Sequence, residues 1–334
     1  MTQQPDSVRV VPGFRYVAGP VKRFLLGNNY RDVWTSTLTV PVLNLKKEGL
    51  VPTERGGGMQ TLSLRLVDPK KHEFAIRSIE KYPEKAIPES LRSDLAKDLV
   101  QDQISASHPF GALVVAPLAE AAGVYHTNPR IVVTPNDSTL REYEQTFANT
   151  LMLFEERADG NYKGTGLFGN STKLYSTPKL LEKIQDDNDN RVDQQTVLRA
   201  RLFDMWIGDW DRHDDQWRWA SFKTDKGLRF EPIPRDRDQA FFLNEGILPK
   251  IVSRRWLMPK FQGFDYTIRL VPEFNNNARF FDRSFLAEPS RADWLAMADT
   301  LQRNMTDDAI QKAMDHLPEP ARKLSAETLT AKLK

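Results

Sequence analysis

Between positions 208 and 241 the sequence concentrates side chains that could do chemistry. Gly208-Asp209-Trp210-Asp211-Arg212-His213-Asp214-Asp215-Gln216-Trp217 is followed after a gap by Pro234-Arg235-Asp236-Arg237-Asp238. Carboxylates alternate here with large aromatics, which a solvated charged face does not do. Polar groups held at the edge of an apolar core are where catalytic and metal sites are built. Aspartates with Gln216, in a chain without cysteine, suit a hard cation such as Mg²⁺ or Mn²⁺. An Asp beside an Arg and a His, a second Asp beyond a hairpin, and a distant cation behind a glycine run make a phosphoryl-transfer set. One carboxylate orients the attacking hydroxyl, other oxygen ligands hold metal ions on the phosphates, and the cation holds the phosphates themselves.

These groups need elements to bring them together. Trp217 to Phe222 reads as a strand, Thr224-Asp225-Lys226-Gly227 as a turn, and Leu228 to Ile233 as the returning strand. An antiparallel hairpin brings its ends together, so the acids at 209–215 and at Asp236 and Asp238 meet at one end. Ahead of them, Asp193 caps a helix that runs through Trp206 and breaks at Gly208. Far upstream, Gly56-Gly57-Gly58 leads into two alternating strands, Thr61 to Val67 and Phe74 to Ile79, joined by a turn at Asp68-Pro69-Lys70-Lys71. On its own residues the glycine run is either a surface loop or a backbone clamp over phosphates. Pro88 to Ser107 reads as a helix with Asp102 near its end, and Ala112 to Gly123 as a second. Arg130 to Val133 and Leu151 to Arg157 are short strands, and Trp294 to Asn304 and Asp307 to His316 are amphipathic helices.

Two other motifs weigh less. Gly164, Gly166 and Gly169 match a dinucleotide-type glycine pattern, but no buried strand leads in and no long apolar helix follows, so they read as a loop. Asp186-Asp187-Asn188-Asp189-Asn190 lacks the glycine and terminal glutamate of a calcium loop. The length of 334 residues calls for two lobes, and the net charge of +2 gives no general case for nucleic acid or a membrane surface. No apolar run approaches a membrane span, and the first residues lack a signal-peptide core. The expectation is a soluble, cytoplasmic chain, unless it is a domain cut from a longer envelope protein.

The order of glycine-rich hairpin, cationic strand, helix with an acid, linker strand, Asp-Arg-His loop and post-hairpin Asp resembles the atypical protein-kinase-like fold. Within that fold the resemblance is to HipA-like kinases, phosphoinositide 3-/4-kinases and secretory-pathway casein-kinase-like enzymes. Asp211-Arg212-His213-Asp214-Asp215-Gln216 is similar to their D-x-H-x-x-N catalytic loop, with Gln in place of Asn. The stretches IGDWDRHDDQWRW and PIPRDRDQAFF also resemble a bacterial domain associated with longer envelope proteins that carry phosphoesterase and outer-membrane barrel segments.

The resemblance implies an α+β, two-lobed fold. Residues 1–50 would be an extension packed on the N-lobe, 51–153 a small mixed β/α N-lobe, and 154–334 a larger, mainly helical C-lobe. It implies ATP and Mg²⁺ (or Mn²⁺) as cofactors. Asp211 takes the catalytic role with His213 beside it, Gly56, Gly57 and Gly58 cover the phosphates, and Arg77 or Lys81 holds them. Asp102 pairs with that cation, Phe154 and Glu155 contact the adenine, and Gln216 and Asp236 bind metal. Asp238 is either a further ligand or an ion-pair partner for Arg235. Arg at 77 keeps a charge but presents a planar fork rather than a point. The implied activity is phosphoryl transfer to a hydroxyl-bearing acceptor, protein or small molecule, without nucleic acid. Its alternatives are a metal-dependent phosphohydrolase and a pseudokinase that binds nucleotide or a partner protein.

Overall fold

Half-buried strands need an apolar layer against them, and the sequence between 40 and 156 supplies both strands and cover. The computed structural model describes residues 5–56, 60–83 and 93–334. β1 (Ser7–Val10) and β2 (Leu38–Pro41) form an antiparallel ribbon. β3 (Val51–Gly56), β4 (Ser63–Val67), β5 (Glu73–Ser78), β6 (Arg130–Val133) and β7 (Leu151–Glu156) form an antiparallel sheet in the order β3-β4-β5-β7-β6. The expected two-stranded hairpin therefore gains a strand, β3, on the other side of the glycine run. Gly56 ends β3 opposite Ser63; Gly57 and Gly58 lie outside the described residues, as does the first part of the helix expected from Pro88. The described helix runs Asp94–Gln103 and tightens into a 3-10 turn at Ile104–Ala106.

Strand period decides what each face of this sheet does. Ile76, Met152 and Phe154 enter an outer cluster with Leu43, Leu64 and Leu66. Their neighbours Arg77, Leu153 and Glu155 face the opposite way, toward the C-terminal half. The first fifty residues pack on more than the small lobe. Leu43, Leu45 and Leu50 join the outer cluster, whereas Tyr16, Val33, Trp34 and Leu38 belong to the central core with Phe110, Val114 and Leu118. Tyr30 donates its hydroxyl to the Phe241 carbonyl at 2.6 Å, which ties this segment to the end of the 208–241 stretch.

The C-terminal half carries a second sheet among its helices. β8 (Leu174–Ser176), β9 (Arg191–Val192), β10 (Trp217–Lys223) and β11 (Leu228–Pro234) run in the order β8-β10-β11-β9, with β9 parallel to β11 and the other pairs antiparallel. The helix Gln194–Trp206 starts where Asp193 accepts from the Gln195 and Thr196 amides. Its apolar face buries Val197, Ala200 and Phe203, and Phe281 from the helix Arg279–Phe285 stacks on Trp217 at 4.1 Å. The helices Arg291–Asn304, Asp307–Asp315 and Glu319–Leu333 complete the lobe. The result is the two-lobed α+β arrangement.

The Gln194–Trp206 helix ends in a Schellman turn that opens the 208–241 stretch. Gly208 donates to the Met205 carbonyl at 3.2 Å and Asp209 to the Asp204 carbonyl at 2.9 Å, with Gly208 at φ +68°. A side chain there meets both a left-handed backbone and the Phe264 ring, 2.8 Å from an added Cβ. Gly208→Ala is expected to destabilise the fold by about 1–3 kcal/mol, read by chemical denaturation. A change within error would mean that the turn tolerates a side chain.

Candidate active site

The register of the β10–β11 hairpin does what its alternation predicts. Trp217 lies opposite Pro234, and the Arg235 amide donates to the Gln216 carbonyl at 2.8 Å. The Asp-Arg-His loop and the Arg-Asp-Arg-Asp segment therefore leave one end of the hairpin side by side.

Arg212 fixes that junction. It is fully buried, with its guanidinium 4.7 Å over the Trp217 ring. It donates to the Arg235 carbonyl at 2.6 Å and the Gln216 carbonyl at 3.2 Å. Behind it, Asp204 and Asp209 lie 3.3 Å and 3.6 Å from its nitrogens. Arg237 pairs with both acids, and Arg201 bridges Asp204 to Asp282. Buried charges survive when each is paired and hydrogen-bonded. Burial pushes Asp209 up to about 6, against the pull of Arg212 and Arg237. On Asp204 burial acts the same way, but three arginines outweigh it and hold the carboxyl below its ordinary range.

In front of this network lies a cleft of about 1000 Å³ between the lobes. Arg77, Lys81 and Glu155 line it from the sheet side; Asp211, His213, Gln216, Arg235, Asp236 and Asp238 line it from the loop side. Lys81 is buried and its ammonium bonds to Asp238. Burial lowers its pKa, but Asp238, Asp236 and Asp211 together raise it above the ordinary lysine value. Three carboxylates thus bear on one amine. Asp236 sits at φ +55°, an unusual conformation for a residue other than glycine. Burial raises its pKa; Arg77, Lys81, Arg235 and Arg212 overcome this and keep it below the usual carboxylate range. Asp238 moves the other way, raised by burial and by the Asp236 charge despite Lys81. Arg235 is pushed down to about 9 by burial and by the neighbouring Arg218 and Arg77. The cleft wall therefore sets crowded cations beside carboxylates, with Asp236 the one these cations hold ionised.

Several expected placements change. Asp102 does not pair with Arg77 or Lys81. Arg31 takes it in a bidentate pair at 2.9 Å and 2.6 Å, and Lys22 lies 2.6 Å away. Arg77 pairs instead with Glu155, whose other oxygen accepts from Thr127 at 2.7 Å. Glu155 lines the cleft but Phe154 does not, because successive strand residues face opposite sides and Phe154 is in the outer cluster. Asp238 pairs with Lys81 and not with Arg235. His213 lies on the cleft wall with its Nε2 3.3 Å from the Gln216 amide nitrogen. Sequence reading missed Asn277, which donates to Asp211 at 2.5 Å and accepts from Lys260 at 3.2 Å. Its only signal was the run Asn275-Asn276-Asn277, and nothing in that run points back sixty residues.

Among the described residues no three Asp, Glu or His side chains converge as a metal-binding group. Asp236 and Asp211 with Gln216 nonetheless offer oxygens in the same cleft. Mg²⁺ usually takes one or two carboxylates together with substrate phosphates and water. The donor set therefore fits a cation that arrives with phosphates rather than one caged by protein alone.

No family model matches the sequence, and no curated protein does. Among solved structures the chain is similar to the Helicobacter pylori proinflammatory kinase CtkA, at 11% identity and TM-score 0.40 over 88% of this chain and 94% of that one. It is similar to HipA from the Shewanella oneidensis MR-1 toxin–antitoxin complex with HipB and operator DNA, at 14% identity and TM-score 0.40 over 89% and 75%. It is also similar to the Chaetomium thermophilum Rio2 kinase in its ADP/Mg²⁺–phosphoaspartate complex, at 11% identity and TM-score 0.39 over 86% and 74%.

Proposed function

We propose that the chain is an ATP- and Mg²⁺-dependent phosphotransferase acting on a hydroxyl acceptor. The reading rests above all on one observation: Asp211 and Asp236, which flank the paired end of one hairpin, line a single interlobe cleft together with Lys81 from the opposite side. Phosphoryl transfer asks for little beyond positioning and charge neutralisation. Lys81 and Arg235 would hold the phosphates, with Arg77 adding charge from β5. Asp236 and Gln216 would hold Mg²⁺, which supplies neutralisation of the phosphate oxygens when bound. Asp238 stays with Lys81 and keeps its amine in the cleft. Asp211, oriented by Asn277, would accept the proton of the attacking hydroxyl.

ATP with Mg²⁺ is expected to raise the melting temperature, in proportion to the about 2.7 kcal/mol gained at a hundredfold excess over Kd. Asp236→Ala should abolish that shift. No shift with any nucleotide would sink the reading. Phosphate release from simple phosphoesters without ATP would favour a hydrolase. Nucleotide binding without transfer, autophosphorylation included, would favour a pseudokinase.

A further inference from the structure

The exposed apolar surface of this protein is gathered in one place. Of the twenty large hydrophobic side chains exposed among the described residues, twelve fall in two segments, 13–26 and 247–260. Each segment carries a short helix, Pro20–Leu26 and Ile247–Val252, in which no residue is buried. The helices lie against each other. Asn29 donates its amide to Glu245 at 2.7 Å, and Gly246 approaches the Leu26–Gly27 backbone so closely that a Cβ would stand 2.3 Å from the Gly27 nitrogen. Phe14, Val21, Phe24, Ile251, Trp256 and Leu257 are all exposed on this double segment, Trp256 to 73%. An apolar face of that kind is a binding surface.

Charge selects what binds. The two segments hold seven lysines and arginines and no acid, although the whole chain has a net charge of only +2. Four of these cations have carboxylate partners: Arg15 with Glu80, Lys22 with Asp102, Arg23 with Asp32, Arg255 with Glu273. Lys250 and Arg254 have none among the described residues. Trp, Phe and Leu beside Lys and Arg, on helices too short to span, is the composition of elements that lie in a bilayer interface. No helix among the described residues is long and apolar enough to cross a membrane. A second copy of the chain is disfavoured, because a two-fold contact would set the same cations opposite each other. We propose that this face docks on an anionic lipid bilayer, with the two helices lying in the headgroup layer. Leu26, Leu248, Val252 and Met258 also line the interlobe cleft. A docked chain would hold the mouth of its cleft beside the lipid.

Co-sedimentation with vesicles of phosphatidylcholine alone, and of phosphatidylcholine mixed with phosphatidylglycerol, tests this. The full chain should bind the mixed vesicles, more weakly as salt rises, with a blue shift in Trp emission that Trp256→Phe removes. The double variant Phe24→Ser with Trp256→Ser should bind at least tenfold more weakly. Its melting temperature should stay unchanged, because both side chains are already in water. Lys250→Glu with Arg254→Glu should weaken binding to the anionic vesicles. Absence of vesicle binding would overturn the proposal, as would equal binding by the wild type and the Ser variant. A concentration-dependent dimer that the Ser variant loses would overturn it in favour of self-association.

Discussion

Asparagine in place of Asp211 is expected to slow phosphoryl transfer about 10²–10⁴-fold, the usual worth of a positioned general base, while the thermal shift with ATP and Mg²⁺ persists. The amide keeps the hydrogen-bonding shape toward Asn277 but cannot accept the hydroxyl proton. Asp236→Asn is the contrasting change. It removes a carboxylate that four neighbouring cations hold ionised, so the thermal shift and the transfer should fall together. The sign of the pH dependence follows from the same charges. Because the folded pKa of Asp236 is depressed, its ionised form contributes above the unfolded value of about 3.9 and is lost only as pH falls below it. Metal-dependent binding should therefore not be lost through Asp236 between pH 5 and pH 8. If Asp211→Asn and Asp236→Asn gave the same profile in binding and transfer, the division of roles would be wrong.

Arg212→Met is expected to destabilise the chain by about 3–5 kcal/mol, the range for removing one partner from a buried ionic cluster. The methionine fills space against Trp217 but leaves the Arg235 carbonyl without its donor and the Gln216 carbonyl with the Arg235 amide alone. It also leaves Asp204 and Asp209 with one cation fewer. Arg212→Lys should recover little, because a single ammonium cannot serve carbonyls on one side and carboxylates on the other as a planar fork does. Urea unfolding measures both variants. A loss under about 1 kcal/mol for Arg212→Met, the scale of an exposed ion pair, would mean that Arg237 and Arg201 carry the cluster without it.

How much could be read beforehand differs from residue to residue. The β10–β11 hairpin was legible because period two, a Thr-Asp-Lys-Gly turn and flanking acids all lie within a few residues of one another. The helix Gln194–Trp206 was legible from its Asp193 cap and its Gly208 stop for the same reason. Alternation requires Phe154 and Glu155 to face opposite sides of the sheet; what it leaves open is which of the two meets the cleft. That depends on the outer layer from Leu43 to Leu50, which covers the Phe154 side. Asp102 looked like a partner for a cleft cation because it is an acid on the right helix. Arg31 claims it instead, by a contact that no local pattern announces.

The sequence by itself determined the local pieces: the strand pairs, the caps, the glycine stop, and the hairpin that sets Gln216 beside Arg235. Short-range sterics and hydrogen bonding decide those, and their signals lie within a turn or a strand. Only the tertiary structure decided the partners: Lys81 rather than Arg235 on Asp238, Glu155 on Arg77, Asn277 on Asp211, and Arg212 beneath the hairpin ends. It alone brought two apolar, basic segments that hold no acid of their own against each other. Pairings of this kind are chosen by packing across long loops, where charge and burial act through space and leave no periodic trace along the chain.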